Sequence, residues 1–173
     1  MPGVAHHITQ RGTDRQTVFF SRRDRHVYLA LVRDCARQVD LRILCYCLMR
    51  NHIHLIGVPQ HEDSLAVCLR RSHGRYAQYL NGRRGRTGHL WQNRFYSCPV
   101  EGTHLWTALR YVELNPVRAG LVGLPEEYEW SSAVAHLGGK DSAGLLDLDF
   151  WKECGGVPFW QQLLHSEEDE DEL

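Results

Sequence analysis

The predicted fold starts from Leu41-Arg-Ile-Leu-Cys-Tyr-Cys-Leu-Met-Arg-Asn51-His-Ile-His-Leu-Ile-Gly-Val58, a segment made of two apolar runs. Each run has the length of a buried strand, and only Arg50-Asn51 separates them. A link this short requires antiparallel pairing, because parallel strands need a crossover of a dozen residues or more. The segment therefore predicts a β-hairpin.

Two histidines alternate in the second strand of this hairpin. Residues two apart on a strand point to the same face, so His52 and His54 are expected side by side, with Ile53 and Leu55 on the other face. Two adjacent imidazoles on a rigid strand form half of a divalent-metal site. Taken alone, the pattern favours a half-buried strand whose histidines face solvent.

A second candidate lies nearly sixty residues downstream, in a segment predicted to be helical over residues 103–115. Tyr111 and Asn115 are an i, i+4 pair and share one helix face. A phenol can attack phosphorus, and a neighbouring amide oxygen can complete the coordination of a metal that polarises the phosphate. The alternative is that Tyr111 is an aromatic at the edge of the core and Asn115 ends the helix before Pro116.

Charge is distributed unevenly along the 173 residues, whose formal net charge is −1. The last eight residues, 166–173, carry six of the 21 acids, which leaves 15 acidic against 20 basic residues in the body. Eighteen of the 20 basic residues are arginine, the side chain best suited to bidentate phosphate contacts. The segment from Ser64 to Val100 has seven arginines and no acid, which favours a phosphate-binding surface over a merely solvated helix face.

Length and spacing predict one domain over residues 1–165, with a core at about 4–132, an extension at 133–165 and an acidic disordered tail at 166–173. The tail either competes with DNA for the arginines or only aids solubility. The six cysteines lie mostly in apolar periodic segments and are interpreted as small core residues. No signal peptide or transmembrane segment is recognised, so a cytoplasmic, nucleoid-associated protein is expected.

The predicted elements follow the order β-α-β-β-α-β-α, which fits an α+β, ferredoxin-like two-layer sandwich. Its antiparallel sheet carries the first two helices on one face. Strand alternation then places Ile53 and Leu55 against those helices and the two histidines on the opposite face. The tyrosine helix must dock on that opposite face if Tyr111 is to reach the metal strand.

Four motifs resemble those of one protein family: Cys47-Leu-Met-Arg-Asn51-His-Ile-His-Leu, Thr87-Gly-His-Leu-Trp-Gln-Asn-Arg-Phe95, Arg110-Tyr-Val-Glu-Leu-Asn-Pro-Val-Arg-Ala-Gly120 and Trp130-Ser-Ser132. They resemble the REP-associated tyrosine transposases, relatives of the single-strand insertion-sequence transposases within the HUH nuclease class. The resemblance runs from about His6 to Ser132. Arg50 departs from the family, which has proline before Asn-His, and this should alter the loop without removing a ligand.

The resemblance implies the HUH nuclease fold and a metal-dependent enzyme that cleaves and rejoins single-stranded or hairpin DNA. Tyr111 would form a 5′-phosphotyrosine linkage, and His52, His54 and Asn115 would hold Mg²⁺ or Mn²⁺. No nucleotide cofactor is needed, because the bond energy is kept in the intermediate. His6, His7, His89 and His104 are further imidazoles that could reach the site. The expected DNA-binding residues are Arg11, Arg70, Arg71, Arg75, Arg83, Arg84, Arg86, Trp91, Arg94 and Arg118.

Two other functions compete with this interpretation. A non-cleaving protein of the same fold would bind DNA hairpins through its arginines and leave Tyr111 unused. A nucleotide hydrolase of the histidine-triad type would need a third alternating histidine, and position 56 is Ile56. The DNA sequence recognised cannot be inferred, because phosphate contacts carry no base code. Both a monomer and a homodimer are compatible with the sequence.

Overall fold

Four antiparallel strands form a single sheet in the computed structural model, which describes residues 1–166. The acidic residues 167–173, on which the tail prediction depends, lie outside the described residues. The strand order is β2-β3-β1-β4, and β2 and β3 form the predicted hairpin. This is the ferredoxin-like order, so the predicted fold class is confirmed. The strands are β1 (Ala5–Arg11), β2 (Leu41–Leu48), β3 (His52–Pro59) and β4 (Tyr96–Val100).

Helices cover both faces of the sheet. The first begins with a capping box, in which the Ser21 side chain accepts from the Asp24 backbone N–H and the Asp24 carboxylate accepts from the Ser21 N–H. No helix within residues 1–166 combines the length and apolar character that crossing a membrane requires. The helices are α1 (Arg22–Gln38), α2 (Ser64–Arg84), α3 (Thr103–Arg118), α4 (Ala133–His136), α5 (Leu148–Glu153) and α6 (Gly156–His165).

The sequence predicts helices over 103–115 and 149–164 and an end of the second helix near Leu80, and all three boundaries differ in the structure. Glycine explains each difference. The tyrosine helix continues through Pro116 to Arg118 and stops before Gly120, which has a φ of +66°. The second helix was expected to end near Leu80, but it continues to Arg84 and ends at Gly85, which has a φ of +58°. A single internal glycine such as Gly82 costs a helix only about 1 kcal/mol, whereas a left-handed glycine terminates it. The final helix, expected over 149–164, is divided into α5 and α6 at Gly155 and Gly156, both with positive φ.

The sheet separates two apolar cores. On one face Ile8, Ile53 and Leu55 pack with side chains of α1 and α2. On the other face Cys45, Cys47 and Ile56 pack under α3, α4 and α6. Four of the six cysteines are buried, as their interpretation as core residues predicted, and all six are free thiols.

The tyrosine helix is fixed to the C-terminal extension by a buried carboxyl group. Glu113 is fully buried, and its Oε2 accepts a hydrogen bond of 2.6 Å from the Trp160 indole N–H. Its Oε1 lies 2.6 Å from His136 Nδ1 and also accepts from the Ser132 hydroxyl. Buried polar groups are tolerated only when paired in this way. Three partners from 132–160 therefore hold the middle of α3 in one position.

We predict that Glu113→Ala destabilises the protein by roughly 3–5 kcal/mol, because it leaves three buried polar groups without their acceptor. Denaturant unfolding followed by circular dichroism measures the loss. The matched control is Glu101→Ala, which removes an exposed acid just before α3 and should change stability by no more than about 0.5 kcal/mol. Equal losses in the two variants would contradict a structural role for the Glu113 contacts.

Candidate nuclease site

Strand β3 presents His52 and His54 on the face that α3 covers. Their ring centroids are 5.1 Å apart, with the planes nearly perpendicular. The antiparallel register pairs His54 with Thr9 and His52 with Arg11 of the central strand β1. The two imidazoles thus lie away from α1 and α2, on the face that strand alternation predicted.

Helix α3 brings Tyr111 and Asn115 to these histidines within the same chain. The Tyr111 ring meets the His54 ring edge to face, with centroids 5.6 Å apart. The Asn115 amide nitrogen is 3.4 Å from His54 Nε2. Tyr111 keeps 38% of its surface exposed, so solvent and substrate can reach it. The structure therefore joins all four residues that were singled out as metal ligands and nucleophile.

One residue at the site was not distinguished by the sequence. His7 of β1 stacks on His54 with centroids 5.3 Å apart and meets the edge of Tyr111 at 6.0 Å. The sequence shows four further imidazoles without ranking them, and only the β1–β3 register selects His7. Its neighbour His6 points to the other face and hydrogen-bonds the Ser97 hydroxyl.

The other two candidate imidazoles have different positions. His104 lines a cleft between β4 and α3, and His7 and Tyr111 also line this cleft. His89 is exposed, and its backbone carbonyl accepts from Thr13 and Gln16. Neither side chain makes a recorded hydrogen bond to His52 or His54.

Both strand histidines are neutral at pH 7. Burial, with a smaller effect of Arg11, lowers the pKa of His52 from 6.5 to about 4. Burial, with smaller effects of His52, His7 and Arg11, lowers the pKa of His54 to about 3. Neutral imidazole is the form that ligates metals.

Hydrogen bonds also fix which nitrogen of His52 carries the proton. The Asn51 amide donates through Nδ2 to the Arg15 carbonyl, so its oxygen faces His52. That oxygen lies 2.7 Å from His52 Nδ1 and can only accept, which places the proton on Nδ1. The lone pair of His52 Nε2 is then available to a ligand, as in metal sites supported by an outer hydrogen bond.

These donors fit a divalent ion held by few protein atoms. Within residues 1–166, no group of three or more His, Cys, Asp or Glu side chains is arranged to hold a metal. The available set is therefore His52, His54 and the Asn115 amide, which can present its oxygen by rotating about its terminal bond. The 3.4 Å between the amide nitrogen and His54 Nε2 is comparable to the spacing of two ligands on one ion. Such a site leaves coordination positions for phosphate oxygens and water.

A cavity next to His52 and β4 shares part of its lining with a second cavity. Both cavities are lined by Gln10, Asn93 and Arg94. We call the two cavities together the β4 groove. The first cavity is also lined by Thr9, Arg11, His52, Gln92 and Tyr96. The second is also lined by Ala66, Leu69, Arg70, His73, Trp91 and Phe95. Among residues 1–166, three arginines and no acid line this groove.

Three of the predicted DNA-binding arginines bind other parts of the chain. Arg83 bonds to Asp24, and Arg84 stacks on Phe20 at 3.6 Å. Arg86 donates to the Gln16 amide oxygen, at 2.8 Å. These three contacts connect the end of α2 and the residues after it to the first turn of α1 and to the segment before α1. The seven arginines of 64–100 thus do not form one continuous surface.

Four further members of the predicted set have mixed positions. Arg71 and Arg75 are exposed on α2, where their charges act on Cys35 of α1. Trp91 is half-buried, and its indole N–H donates to the His73 carbonyl, so only part of the ring faces the groove. Arg118 lies over the Tyr111 ring, with its guanidinium carbon 5.1 Å from the centroid.

Two solved structures are similar to this chain. The chain is similar to the solved structure of a REP-associated tyrosine transposase bound to a REP hairpin, with 18% identity, 86% coverage of each chain and a TM-score of 0.66. It is also similar to a candidate transposase from Deinococcus radiodurans R1, with 20% identity over 64% of this chain and 88% of the other and a TM-score of 0.47. No curated protein matches.

The first of these structures supports the fold. A family match goes beyond the fold: residues 2–115 match the family described as "Transposase IS200 like". That segment begins before β1 and ends at Asn115, so it contains His7, His52, His54 and Tyr111. The match covers more than half of the chain, and the protein belongs to the IS200-like transposase family.

Proposed function

We propose that this transposase is a metal-dependent single-strand DNA endonuclease that cleaves and rejoins DNA through a phosphotyrosine intermediate on Tyr111. The observation that carries the proposal is the meeting of an exposed tyrosine with two neutral imidazoles and an amide. A phenol beside ligands for a divalent ion is the arrangement needed for nucleophilic attack on a phosphodiester.

In the proposed reaction, the Tyr111 oxygen attacks the phosphorus in line with the bond to the 3′ oxygen. The phenol proton passes to water, the phosphorus–oxygen bond breaks, and the departing 3′ oxygen takes up a proton. The products are a 5′-phosphotyrosine and a free 3′-OH, and the reverse reaction with another 3′-OH transfers the strand. Mg²⁺ or Mn²⁺ held by His52, His54 and Asn115 would polarise the phosphate oxygens and favour the phenolate.

The chain's own residues supply binding and orientation. The Glu113 contacts fix α3, so Tyr111 meets the phosphate in one orientation. Arg118 lies over the Tyr111 ring, where a guanidinium can also contact the phosphate. The β4 groove offers Arg11, Arg70 and Arg94 to the backbone of the adjoining nucleotides.

The proposed substrate is single-stranded DNA that contains a hairpin. The solved REP-associated transposase, whose fold this chain shares, is bound to a REP hairpin. The arginine-lined groove opens directly at His52, so a strand leaving the hairpin could follow it to the site. Because these arginines reach phosphates, the groove by itself specifies no base sequence.

We predict that Tyr111→Phe abolishes the covalent protein–DNA adduct while DNA binding is kept, because the change removes one oxygen and preserves the ring packing. The measurement is a denaturing gel of protein incubated with Mn²⁺ and single strands from the flanking genomic repeats. Tyr96→Phe, at another exposed tyrosine near the site, is the control and should keep the adduct. An adduct in Tyr111→Phe would assign the nucleophile to another residue. No adduct with the unmodified protein would favour a binding protein that does not cleave.

We predict that His52→Ala and His54→Ala each weaken Mn²⁺ binding by more than about 10-fold, since loss of a mere supporting hydrogen bond already costs roughly 10- to 100-fold. Titration calorimetry without DNA measures the affinity. His61→Ala serves as the control, because His61 is exposed and contacts Asp40. Unchanged Mn²⁺ affinity in both strand variants would remove the metal assignment.

We predict that the double variant Arg70→Gln/Arg94→Gln lowers the salt slope of single-strand binding by roughly 1.4–1.8, at ~0.7–0.9 per lost phosphate contact. Fluorescence anisotropy across a salt titration gives the slope. The control Arg71→Gln/Arg75→Gln removes the same charge from arginines that do not line the groove. Equal slopes for the two double variants would show that charge alone, and not the β4 groove, governs binding.

A further inference from the structure

We infer that His7 is a positioning residue of the nuclease site. It accepts a hydrogen bond from His54 Nδ1, and this leaves the lone pair of His54 Nε2 free to bind the ion. This inference rests on the proposed function. It concerns a side chain that is neither a proposed ligand nor the nucleophile. Three observations carry it: the hydrogen bond, the packing of the ring and the position of His7 in the sheet.

The contacts of both ring nitrogens indicate the tautomer of His54: the Asn115 amide nitrogen is a donor facing Nε2, which leaves the proton to Nδ1. A neutral imidazole carries one proton, and His54 Nδ1 lies 3.1 Å from His7 Nε2. When His54 donates from Nδ1, its Nε2 keeps a free lone pair directed at the Asn115 amide, 3.4 Å away. A proton on Nε2 would instead block that position. His7 therefore has the role for His54 that the Asn51 amide has for His52.

The geometry argues against His7 as a ligand. Its Nε2 is already directed at His54 Nδ1, on the side of the His54 ring away from Asn115. The two rings stack with an interplanar angle of 25°, so they do not converge on a common point. The described residues contain no three-histidine cluster suited to a metal. His7 thus supports a ligand and does not replace one.

The sheet holds His7 rigidly. It lies on β1, which pairs with strands on both sides, and its partners are Ile56 of β3 and Cys98 of β4. Its ring also meets the Tyr111 ring at 6.0 Å, so it contacts both the ligand and the nucleophile. A support on a central strand maintains geometry better than one on a loop.

The test compares four variants for Mn²⁺ affinity by calorimetry without DNA, and for adduct formation. His7→Leu removes the acceptor, and His7→Gln places an amide oxygen near the former Nε2. His7→Asn is one methylene too short to reach. His6→Leu removes an imidazole one residue away, on the opposite face of the sheet. We expect a 10- to 100-fold loss, roughly, in His7→Leu and His7→Asn, substantial recovery in His7→Gln and no change in His6→Leu.

Each outcome is decisive. Wild-type Mn²⁺ affinity in both His7→Leu and His7→Asn overturns the inference, and so does an equal loss in His7→Gln and His7→Asn. If His7→Leu fails to fold, as judged by circular dichroism, the Gln and Asn pair still decides, because both are polar and differ in reach. Failure of the unmodified protein to bind Mn²⁺ or to form the adduct would instead refute the proposed function.

Discussion

The position of α3 on the sheet is the constraint on which the site depends. Its inner side carries Leu109 and Val112 into the second core and Glu113 into the hydrogen bonds with Ser132, His136 and Trp160. The face that remains carries Tyr111 and Asn115. Because the inner contacts are buried and directional, α3 can neither rotate nor slide without exposing a carboxyl group that has lost its partners. The proposed nucleophile is thus placed by buried residues on the inner side of α3.

Burial also sets the charge of the site. His52 and His54 lie under α3 with Arg11 nearby, and burial accounts for most of the lowering of their pKa values. Two histidines kept neutral cost less to bury than two charged ones, and they are ready to bind a cation without first losing protons. In the described part of the chain, the residues lining the adjoining groove include arginines and no acids, which suits a polyanion. The region thus favours both a metal and a phosphate backbone.

Local pattern was sufficient for the predictions that depend on a single element. Alternation in β3 placed His52 and His54 on one face, and helical spacing placed Tyr111 beside Asn115. The site appeared once two elements were assumed to meet. His7 could not be ranked in this way, because its role depends on the register between β1 and β3, which are 40 residues apart in sequence. Sequence spacing also could not show where the arginines of 64–100 lie: the structure places some at the groove, some on the exposed side of α2 and some in contacts with α1 and the segment before it.

The partners of Glu113 limit where this chain can be divided and joined to another. The family match ends at Asn115, yet all three side chains that bind the Glu113 carboxyl lie beyond it. Helix α3 and the C-terminal segment therefore form one structural unit. A chimera that joined α3 to a foreign C-terminus would contain every residue of the proposed site. It would still lack the three side chains that bind Glu113 and fix the orientation of the helix. A chimera with its crossover before residue 103 should accordingly keep its function. A crossover between α3 and residue 132 should not, because it separates Glu113 from its partners.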